Sequence, residues 1–364
     1  MPGLGDRRQG CRAFSPYTLA DGRKKLIWTT FTPQQVDLDV RHPVTRAYLL
    51  RVLDQLAAAH VSHVRLDAVG YAVKTPGLTS FMDPETFKFI DEVTAWCHER
   101  DLEVLVEVHS HHLRQVELAQ QVDYVYDFAL PPLVLHALTA ADPGPLLTWL
   151  PRRPGNAVTV LDTHDGIGII DVGPAADDRS QPGLLSPGQL DQLVETIHAN
   201  SGGASREATG AAASNVDLYQ VNCTFYDALG RDDDRYLLAR ALQFWTPGTP
   251  QVYYVGLLAG VNDMDLLGCS GIGRDVNRHY YTASEIHASL ARPVVQALIR
   301  LMRFRNTHPA FDGDMTCFAG PSSITMKWTH GHEAVLDADL TTGRAQVTWT
   351  ANGSRRRAQL ASLP

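Results

Sequence analysis

The sequence lacks the features that mark several classes of protein. It contains no apolar run of about 18 residues, the length that a helix needs to cross a membrane. Its opening residues, MPGLGDRRQGCR, have no apolar segment after their charges, so we expect no secretory leader. Lys and Arg number 32 against 40 Asp and Glu, so we expect no basic surface of the kind that binds nucleic acid or membranes.

Cysteine is also scarce. The five cysteines are scattered, odd in number, and never form a C-x-x-C pair. This pattern favours reduced thiols over a disulfide framework or a zinc site, and it predicts a cytoplasmic protein. What is present is an ordinary globular composition, 44% apolar and 20% charged, which is ample for a large core in a chain of 364 residues.

The middle of the sequence alternates short runs of Val, Ile and Leu with longer stretches of helical periodicity. The predicted strands are residues 63–68, 102–109, 122–128, 157–163 and 251–255. The predicted helices are residues 43–60, 84–100, 187–201, 234–245 and 282–305. Strands that are apolar on both faces and alternate with helices predict an α/β fold with a parallel sheet covered by helices.

Two stretches depart from this pattern. Residues 201–214 are rich in Gly, Ala and Ser, which predicts a flexible linker, and the polar, aromatic stretch 215–222 that follows predicts a loop that meets a ligand. From about residue 312 the sequence changes to short alternating runs. We therefore predict a small antiparallel β domain over residues 312–364, after an α/β domain over residues 43–311.

Ionisable residues stand at the ends of three predicted strands. They are Asp67, Glu107 and the group Asp162, His164 and Asp165. One such carboxylate alone is adequately explained as a helix cap or a surface ion pair. Three of them favour convergence at the mouth of a (β/α) barrel, because the active sites of such barrels are built at the C-terminal ends of the strands.

Carboxylates that face one another suggest glycoside chemistry. One carboxylate attacks the anomeric carbon, a second protonates the leaving oxygen, and a third stabilises the oxocarbenium-like transition state. Arg65 lies two residues before Asp67, so both side chains point to the same face of a strand. A guanidinium there would keep a nucleophilic carboxylate ionised.

Three phrases of the sequence resemble short motifs of glycoside hydrolase family 13, the α-amylase superfamily. They are VRLDAVGYAVK (64–74), EVHS (107–110) and VLDTHDGIGIID (160–171). Longer phrases resemble one group of that family, the sucrose phosphorylases: PYTLADG (16–22), WTTFTPQQVDLDV (28–40), YDFALPPL (126–133), TGAAASNVDLYQVN (209–222), PQVYYVG (250–256) and GRDVNRHYY (273–281). The resemblance implies a (β/α)8 TIM-barrel-type catalytic domain with a small C-terminal antiparallel β domain.

The resemblance also implies roles for particular residues. Asp67 would be the nucleophile, Glu107 the general acid/base and Asp165 the stabiliser of the transition state. The implied substrate-binding residues are Arg65, His109, His164, Asp217, Gln220 and Arg274, with Asp217 and Gln220 on the loop that meets fructose or phosphate.

The implied reaction transfers glucosyl reversibly from sucrose to inorganic phosphate, with retention. The products are α-glucose 1-phosphate and fructose, no cofactor is needed, and a homodimer is compatible with the resemblance. His109, His111 and His112 match no zinc spacing, so no metal is expected.

The start of the chain departs from the family. Members carry an Asp and then Asn-His at the end of the third barrel strand, and no such phrase precedes Asp67. Residues 1–42 resemble the tail of the inserted domain B, and Arg7, Arg8 and Arg12 lie where relatives keep a phosphate-binding arginine. We therefore predict a chain that is N-terminally truncated, with about five strand–helix units and an inserted loop region over about 166–232.

A barrel of five strands would leave two sheet edges without neighbours, so we expect weak activity or none from this chain alone. Three other readings stay open. The chain could be a phosphorylase of a related α-glucoside, namely glucosylglycerol, glucosylglycerate or sucrose 6'-phosphate, although the run 217–220 (DLYQ) favours fructose as the acceptor. The enzyme could instead be a hydrolase or transglucosidase of the wider superfamily, or the chain could be a non-catalytic remnant.

Overall fold

The computed structural model describes residues 14–175, 178–210, 215 and 218–364. The strands are β1 (Phe14–Thr18), β2 (Lys24–Trp28), β3 (His63–Leu66), β4 (Glu103–Val106), β5 (Tyr124–Asp127), β6 (Ala157–Thr159), β7 (Ile167–Gly168), β8 (Gln220–Val221), β9 (Thr249–Pro250), β10 (Asp314–Gly320), β11 (Ser323–Thr329), β12 (Glu333–Asp339), β13 (Arg344–Ala351) and β14 (Ser354–Gln359).

The helices alternate with these strands through the middle of the chain. They are α1 (Pro43–Ala58), α2 (Pro84–His98), α3 (His112–Leu118), α4 (Leu130–Ala140), α5 (Gly144–Trp149), α6 (Pro187–Asn200), α7 (Ala204–Thr209), α8 (Phe225–Ala228), α9 (Asp233–Trp245), α10 (Tyr254–Leu257), α11 (Met264–Ser270), α12 (Ala283–Leu290) and α13 (Pro293–Thr307). Among the described residues, no helix is both long and apolar enough to cross a membrane.

The chain divides into two compact units. The first comprises the described residues up to Val108 together with Glu117–Val125, and the second comprises His109–Val116 and Tyr126–Pro364. The first unit contains the antiparallel hairpin β1–β2 and the parallel pairing of β4 with β3 and with the start of β5. Helix α2 covers this sheet with a buried face that includes Phe89, Ile90 and Val93.

The second unit is built around one large hydrophobic core. Strands β6 and β9 pair in parallel, β7 and β8 pair antiparallel, and β10 to β14 form a five-stranded antiparallel meander. Helix α9 is buried from Tyr236 to Trp245 and lies against the meander. The contact is specific, because the indole of Trp328 donates to the carbonyl of Trp245 at 2.8 Å. Helix α13 also meets the meander, where the rings of Phe304 and Trp349 lie 5.6 Å apart.

Most predicted elements are present, and helix starts agree best because their signals are local. Asp83 caps α2 by accepting from the amide of Thr86 at 2.9 Å, ahead of Pro84 at the first helical position. Asp232 caps α9 in the same way. The alternating runs after residue 312 form the predicted antiparallel strands.

Three predictions about elements are wrong. The predicted helix 282–305 is two helices, because Pro293 offers no amide hydrogen and holds Arg292 in an extended conformation between α12 and α13. The predicted strand 251–255 is strand only at Thr249–Pro250 and becomes helical at Tyr254. The predicted linker 201–214 contains helix α7, in which buried Ser205 hydrogen-bonds His198 at 2.7 Å. Residues 211–214 lie outside the described residues.

A buried ion pair holds the end of β5 in the second unit. Asp127 is fully buried and accepts from Arg153 Nε at 2.7 Å, from the indole of Trp149 at 2.9 Å and from the amide of Leu130 at 3.1 Å. The guanidinium of Arg153 is 2% exposed. Removing one member of such a pair leaves the other charge buried without a partner.

We expect Asp127→Asn to lower the free energy of unfolding by about 3–5 kcal/mol, because the Arg153 charge loses its partner inside the core. The matched control is Arg344→Ala, which breaks a pair with Asp234 whose side chains are 74% and 51% exposed and which should cost under about 1 kcal/mol. Urea unfolding followed by tryptophan fluorescence measures both. Equal losses in the two variants would contradict this account.

Candidate active site

Two carboxylates of the first unit stand at neighbouring strand ends. Asp67 follows β3 and Glu107 follows β4. The amide of Glu107 donates to the carbonyl of Leu66 at 3.1 Å, which continues the parallel ladder to the point where both strands end. Ala68 then takes a left-handed conformation, with φ 46°, and turns the chain into the short 3₁₀ segment Val69–Tyr71.

One guanidinium contacts both carboxylates. Arg65 Nη2 lies 3.1 Å from Asp67 Oδ1 and 2.6 Å from Glu107 Oε2. The side chain of Asp67 is 67% exposed, whereas that of Glu107 is 9% exposed. The structure therefore places an accessible carboxylate and a buried one on a single cation, which suits a nucleophile open to substrate beside a shielded acid/base.

The second unit holds the third predicted carboxylate, Asp165, which is buried between two arginines. Arg274 donates to Asp165 Oδ1, and Arg278 Nη2 lies 3.4 Å from the same oxygen. Burial by itself would raise the pKa of Asp165. The charge and hydrogen bond of Arg274, with smaller contributions from His164 and His109, outweigh burial and hold that pKa below its usual value. Asp165 is therefore anionic at neutral pH.

Backbone contacts fix the segment that carries the two arginines. Asn277 Nδ2 donates to the carbonyls of Thr163 at 2.6 Å and Asp165 at 3.0 Å. Arg278 Nε donates to the carbonyl of His164 at 2.8 Å. The 3₁₀ segment Gly273–Asn277 is thereby attached to the backbone around Asp165 as well as to its side chain.

His109 of the second unit is held by a buried carboxylate and an aromatic ring. Its Nδ1 lies 2.9 Å from Oδ2 of the fully buried Asp171, and its ring stacks on Phe128 at a centroid distance of 3.7 Å. Gly168 permits this approach, because a Cβ there would lie 2.1 Å from Asp171 Oδ2. These two contacts fix the orientation of the His109 ring and therefore the direction in which its Nε2 points.

The other predicted binding residues are placed differently. Gln220, on β8, is buried and donates through Nε2 to Asn222 at 2.8 Å. His164 is 44% exposed, and its Nε2 lies 3.8 Å from Asp165 Oδ1. Asp217 lies outside the described residues, as do Arg7, Arg8 and Arg12.

Asp162 belongs to the core of the second unit. It accepts from Arg240 Nη2 at 2.6 Å, and the guanidinium of Arg240 is fully buried and bonded to Tyr236 and Gln243. The sequence pattern groups Asp162 with the strand-end carboxylates, which is wrong, and it does not single out Arg278 or Asp171. Arg278 lies four residues after Arg274 in the same basic stretch, which is a usable signal. Asp171 has no local signal of that kind.

No family model matches the chain. A curated sucrose phosphorylase of Agrobacterium vitis is 54% identical over 343 residues, which cover 94% of this chain and 70% of that protein. The chain belongs to the sucrose phosphorylase family.

More distant relatives include other members of the phosphorylase group. A sucrose phosphorylase of Bifidobacterium adolescentis is 51% identical over 94% of this chain and 70% of its own length. A glucosylglycerol phosphorylase of Marinobacter adhaerens is 42% identical over 93% of this chain and 69% of its own length. The predicted membership of glycoside hydrolase family 13 is thus confirmed.

Solved structures confirm the predicted fold class. The crystal structure of sucrose 6F-phosphate phosphorylase from Thermoanaerobacter thermosaccharolyticum matches 98% of this chain and 73% of that chain, with 36% identity and a TM-score of 0.89. An α-amylase of H. orenii matches 95% of this chain and 66% of its own, at 13% identity and a TM-score of 0.59, which shows a shared fold alone. The sucrose phosphorylase family member described here has an α-amylase-type barrel fold and a C-terminal antiparallel sheet.

We expect Arg274→Gln to destabilise the protein by about 1.5–3 kcal/mol at pH 7, because Asp165 then stays buried with less charge opposite it. A carboxylate with a lowered pKa contributes stability above its unfolded value of 3.8, and that contribution is lost as the pH falls through the folded pKa. The gap between wild type and Arg274→Gln should therefore narrow below about pH 4. Urea unfolding across pH 3–7 measures this gap.

The control for that series is Arg355→Gln, which changes an exposed arginine of β14 in the same chemical way. Its effect on stability should be small and constant across the pH series. A gap for Arg274→Gln that stays equally wide at the lowest pH would contradict the ion pair with Asp165.

Proposed function

We propose that this chain is a sucrose phosphorylase that transfers glucosyl from sucrose to inorganic phosphate and releases fructose. The observation that carries the proposal is the placement of Asp67 and Glu107 on one guanidinium, at the residues that match the family's catalytic motifs. Two relatives that are more than 50% identical over the aligned residues are sucrose phosphorylases, and this favours sucrose over the substrates of the other members.

The first half of the reaction moves glucosyl onto the protein. A carboxylate oxygen of Asp67 attacks the anomeric carbon and forms the glucosyl–aspartate bond while the bond from that carbon to the fructosyl oxygen breaks. Glu107 gives its proton to the departing fructosyl oxygen. Asp67 is suited to the attack because Arg65 favours its anionic form and leaves it mostly open to solvent.

The second half returns the enzyme to its starting state. A phosphate oxygen attacks the anomeric carbon, the bond to Asp67 breaks, and Glu107 takes up the proton that phosphate loses. Two inversions give net retention and α-glucose 1-phosphate. The spacing supports this course: the two carboxylate oxygens on Arg65 Nη2, at 3.1 and 2.6 Å, must be closer together than the roughly 6.5–9.5 Å of an inverting pair.

The second unit supplies the remaining proposed roles. Asp165 stabilises positive charge at the anomeric carbon in the transition state, and its anionic form at neutral pH supports that role. Arg274, His164 and His109 contribute to glucosyl binding. Gln220 and Asp217 belong to the loop that meets fructose or phosphate.

We also infer the domain bounds, the cellular location and the oligomeric state of the protein. We infer that residues 1–42 are part of domain B, that residues 43–311 form the catalytic domain with an insertion over about 166–232, and that residues 312–364 form the C-terminal domain. We place the protein in the cytoplasm, since the four described cysteines are free thiols. A homodimer is the assembly that we expect, and light scattering after gel filtration measures it.

We expect purified protein with sucrose and phosphate to produce α-glucose 1-phosphate, which a coupled dehydrogenase assay measures. Asp67→Asn should abolish the product, because no covalent intermediate can form. Glu107→Gln should lower the rate about 10²–10⁴-fold. With α-glucosyl fluoride, whose leaving group needs no proton, Glu107→Gln should still be glucosylated, and intact mass spectrometry detects the added anhydroglucose.

Asp91→Asn and Glu99→Gln serve as matched controls, because both are exposed residues of the helical region around α2. They should retain wild-type rates. The acceptor is identified in the reverse direction with α-glucose 1-phosphate and either fructose, fructose 6-phosphate, glycerol or glycerate. Preference for one of the last three would assign a related phosphorylase, and glucose release without phosphate consumption would assign a hydrolase. Folded protein that makes no product would refute the proposed activity for this chain.

A further inference from the structure

The segment that carries Arg274 and Arg278 needs an outside support. Both arginines contact Asp165, and they lie in and just after the five-residue 3₁₀ segment Gly273–Asn277. Short 3₁₀ segments have poor hydrogen-bond geometry and little stability of their own. The position of the two guanidinium groups therefore depends on the contacts that hold the segment, which are those of Asn277 and Arg278 with the backbone around Asp165 and those of the residue that follows.

The residue that follows Arg278 connects this segment to two helices. His279 Nδ1 lies 2.5 Å from Oδ2 of Asp263, and its Nε2 lies 3.4 Å from Oε1 of Glu285. Asp263 is the N-cap of α11 and accepts from the amide of Leu266 at 2.8 Å, and its own amide donates to the carbonyl of Val276 at 2.8 Å. The imidazole thus ties the end of the arginine segment to the start of α11.

The second carboxylate is equally well fixed. Glu285 forms the capping box of α12, in which its Oε2 accepts from the amide of Thr282 at 2.7 Å. Neither carboxylate can follow His279 without losing a helix cap. The ring therefore lies between two anchored acceptors, one on each side.

Two acceptors require two donors, and an imidazole offers two only when it is protonated. The hydrogen bond and charge of Asp263, with a smaller contribution from Glu285, raise the pKa of His279 above its usual value, although partial burial opposes them. Deprotonation leaves one ring nitrogen without a hydrogen and facing a carboxylate. The contact between His279 and the two carboxylates is then weaker, because the ring has lost its charge and one of its nitrogens places a lone pair opposite a carboxylate oxygen.

Several other charged or titratable side chains lie around the ring. Asp265 of α11 and Arg292 border the same groove as His279. Tyr281 meets the ring edge-on at 4.5 Å, and burial raises its pKa to about 12. Tyr254 donates to the carbonyl of His279 at 3.0 Å, and Arg278 precedes it in the chain. Of these side-chain types, histidine is the one that ordinarily serves as a switch near neutral pH.

We propose that His279 is a positioning residue for the reaction: as an imidazolium held between Asp263 and Glu285, it fixes the segment that presents Arg274 and Arg278 to Asp165. It acts through these arginines rather than on substrate. The inference rests on the proposed function, because it concerns the residue to which that function assigns transition-state stabilisation. A displacement of about 1 Å at such a site can cost 10²-fold in rate.

The test compares His279→Gln with His279→Arg. Glutamine removes the charge and offers no second donor in line with the two carboxylates, so kcat for phosphorolysis should fall about 10–100-fold while KM for phosphate changes little. Arginine keeps the charge and has donors for both carboxylates, so it should restore most of the rate. His287→Gln is the matched control, since His287 is an exposed histidine of α12 whose Nδ1 bonds the carbonyl of Ala283 in the same helix, and it should leave the rate unchanged.

The pH profile separates positioning from a general loss of stability. The wild-type rate should fall on the alkaline side as His279 loses its proton, and that fall should be absent from His279→Arg and from the low, flat profile of His279→Gln. Wild-type kcat in His279→Gln, or an equal loss in both variants with the alkaline limb unchanged, would overturn the proposal.

A readout that does not need activity keeps the two hypotheses distinct. Amide hydrogen exchange, measured by mass spectrometry over residues 273–281, should be faster in His279→Gln than in wild type and close to wild type in His279→Arg. If the wild type makes no glucose 1-phosphate while exchange behaves as expected, the proposed function fails and the positioning of the segment stands. Unchanged exchange in His279→Gln would refute the positioning.

Discussion

The pairing of carboxylates with arginines is the interaction on which this structure depends. A carboxylate taken out of water without a partner costs more free energy than the fold can supply, and such a group would take up a proton instead. Here Asp127 is paired with Arg153, Asp162 with Arg240, Asp165 with Arg274, and Glu107 with Arg65. Each of these acidic side chains is at least nine-tenths buried, so each arginine is what permits the burial.

The exposure of the arginine divides these pairs into two kinds. Arg153 and Arg240 are 2% and 0% exposed, and both donate to protein groups inside the core: Arg153 to Asp127 and Arg240 to Asp162. Arg274 and Arg65 are 31% and 35% exposed, so the same chemistry is open to an incoming ligand. The first kind stabilises the core of the second unit, and the second leaves charged groups accessible to solvent. A strand-end carboxylate is thus informative about function only when the exposure of its partner is known.

Residues around Asp165 are held in place from two sides. The guanidinium groups of Arg274 and Arg278 are attached to Asp165 from one side and, through Asn277 and His279, to backbone and helix caps from the other. His109 is likewise set by Asp171 and Phe128. Catalysis by charge stabilisation requires dipoles and charges that are already in place, and these contacts keep the side chains from relaxing when no ligand is present.

Local sequence determined much of the secondary structure of this protein. The strand ends before Asp67 and Glu107, the capped starts of α2 and α9, and the alternating C-terminal strands all depend on residues within a few positions of one another, where periodicity and capping chemistry act. The break at Pro293 has a local cause too, and the helical periodicity on both sides concealed it. Tertiary structure alone decided which carboxylates are structural, that Arg278 joins Arg274 on Asp165, and that His279 bridges two helix caps. These contacts join segments as far apart as the 109 residues between Asp165 and Arg274, and no local pattern encodes which distant charge will neutralise a buried one.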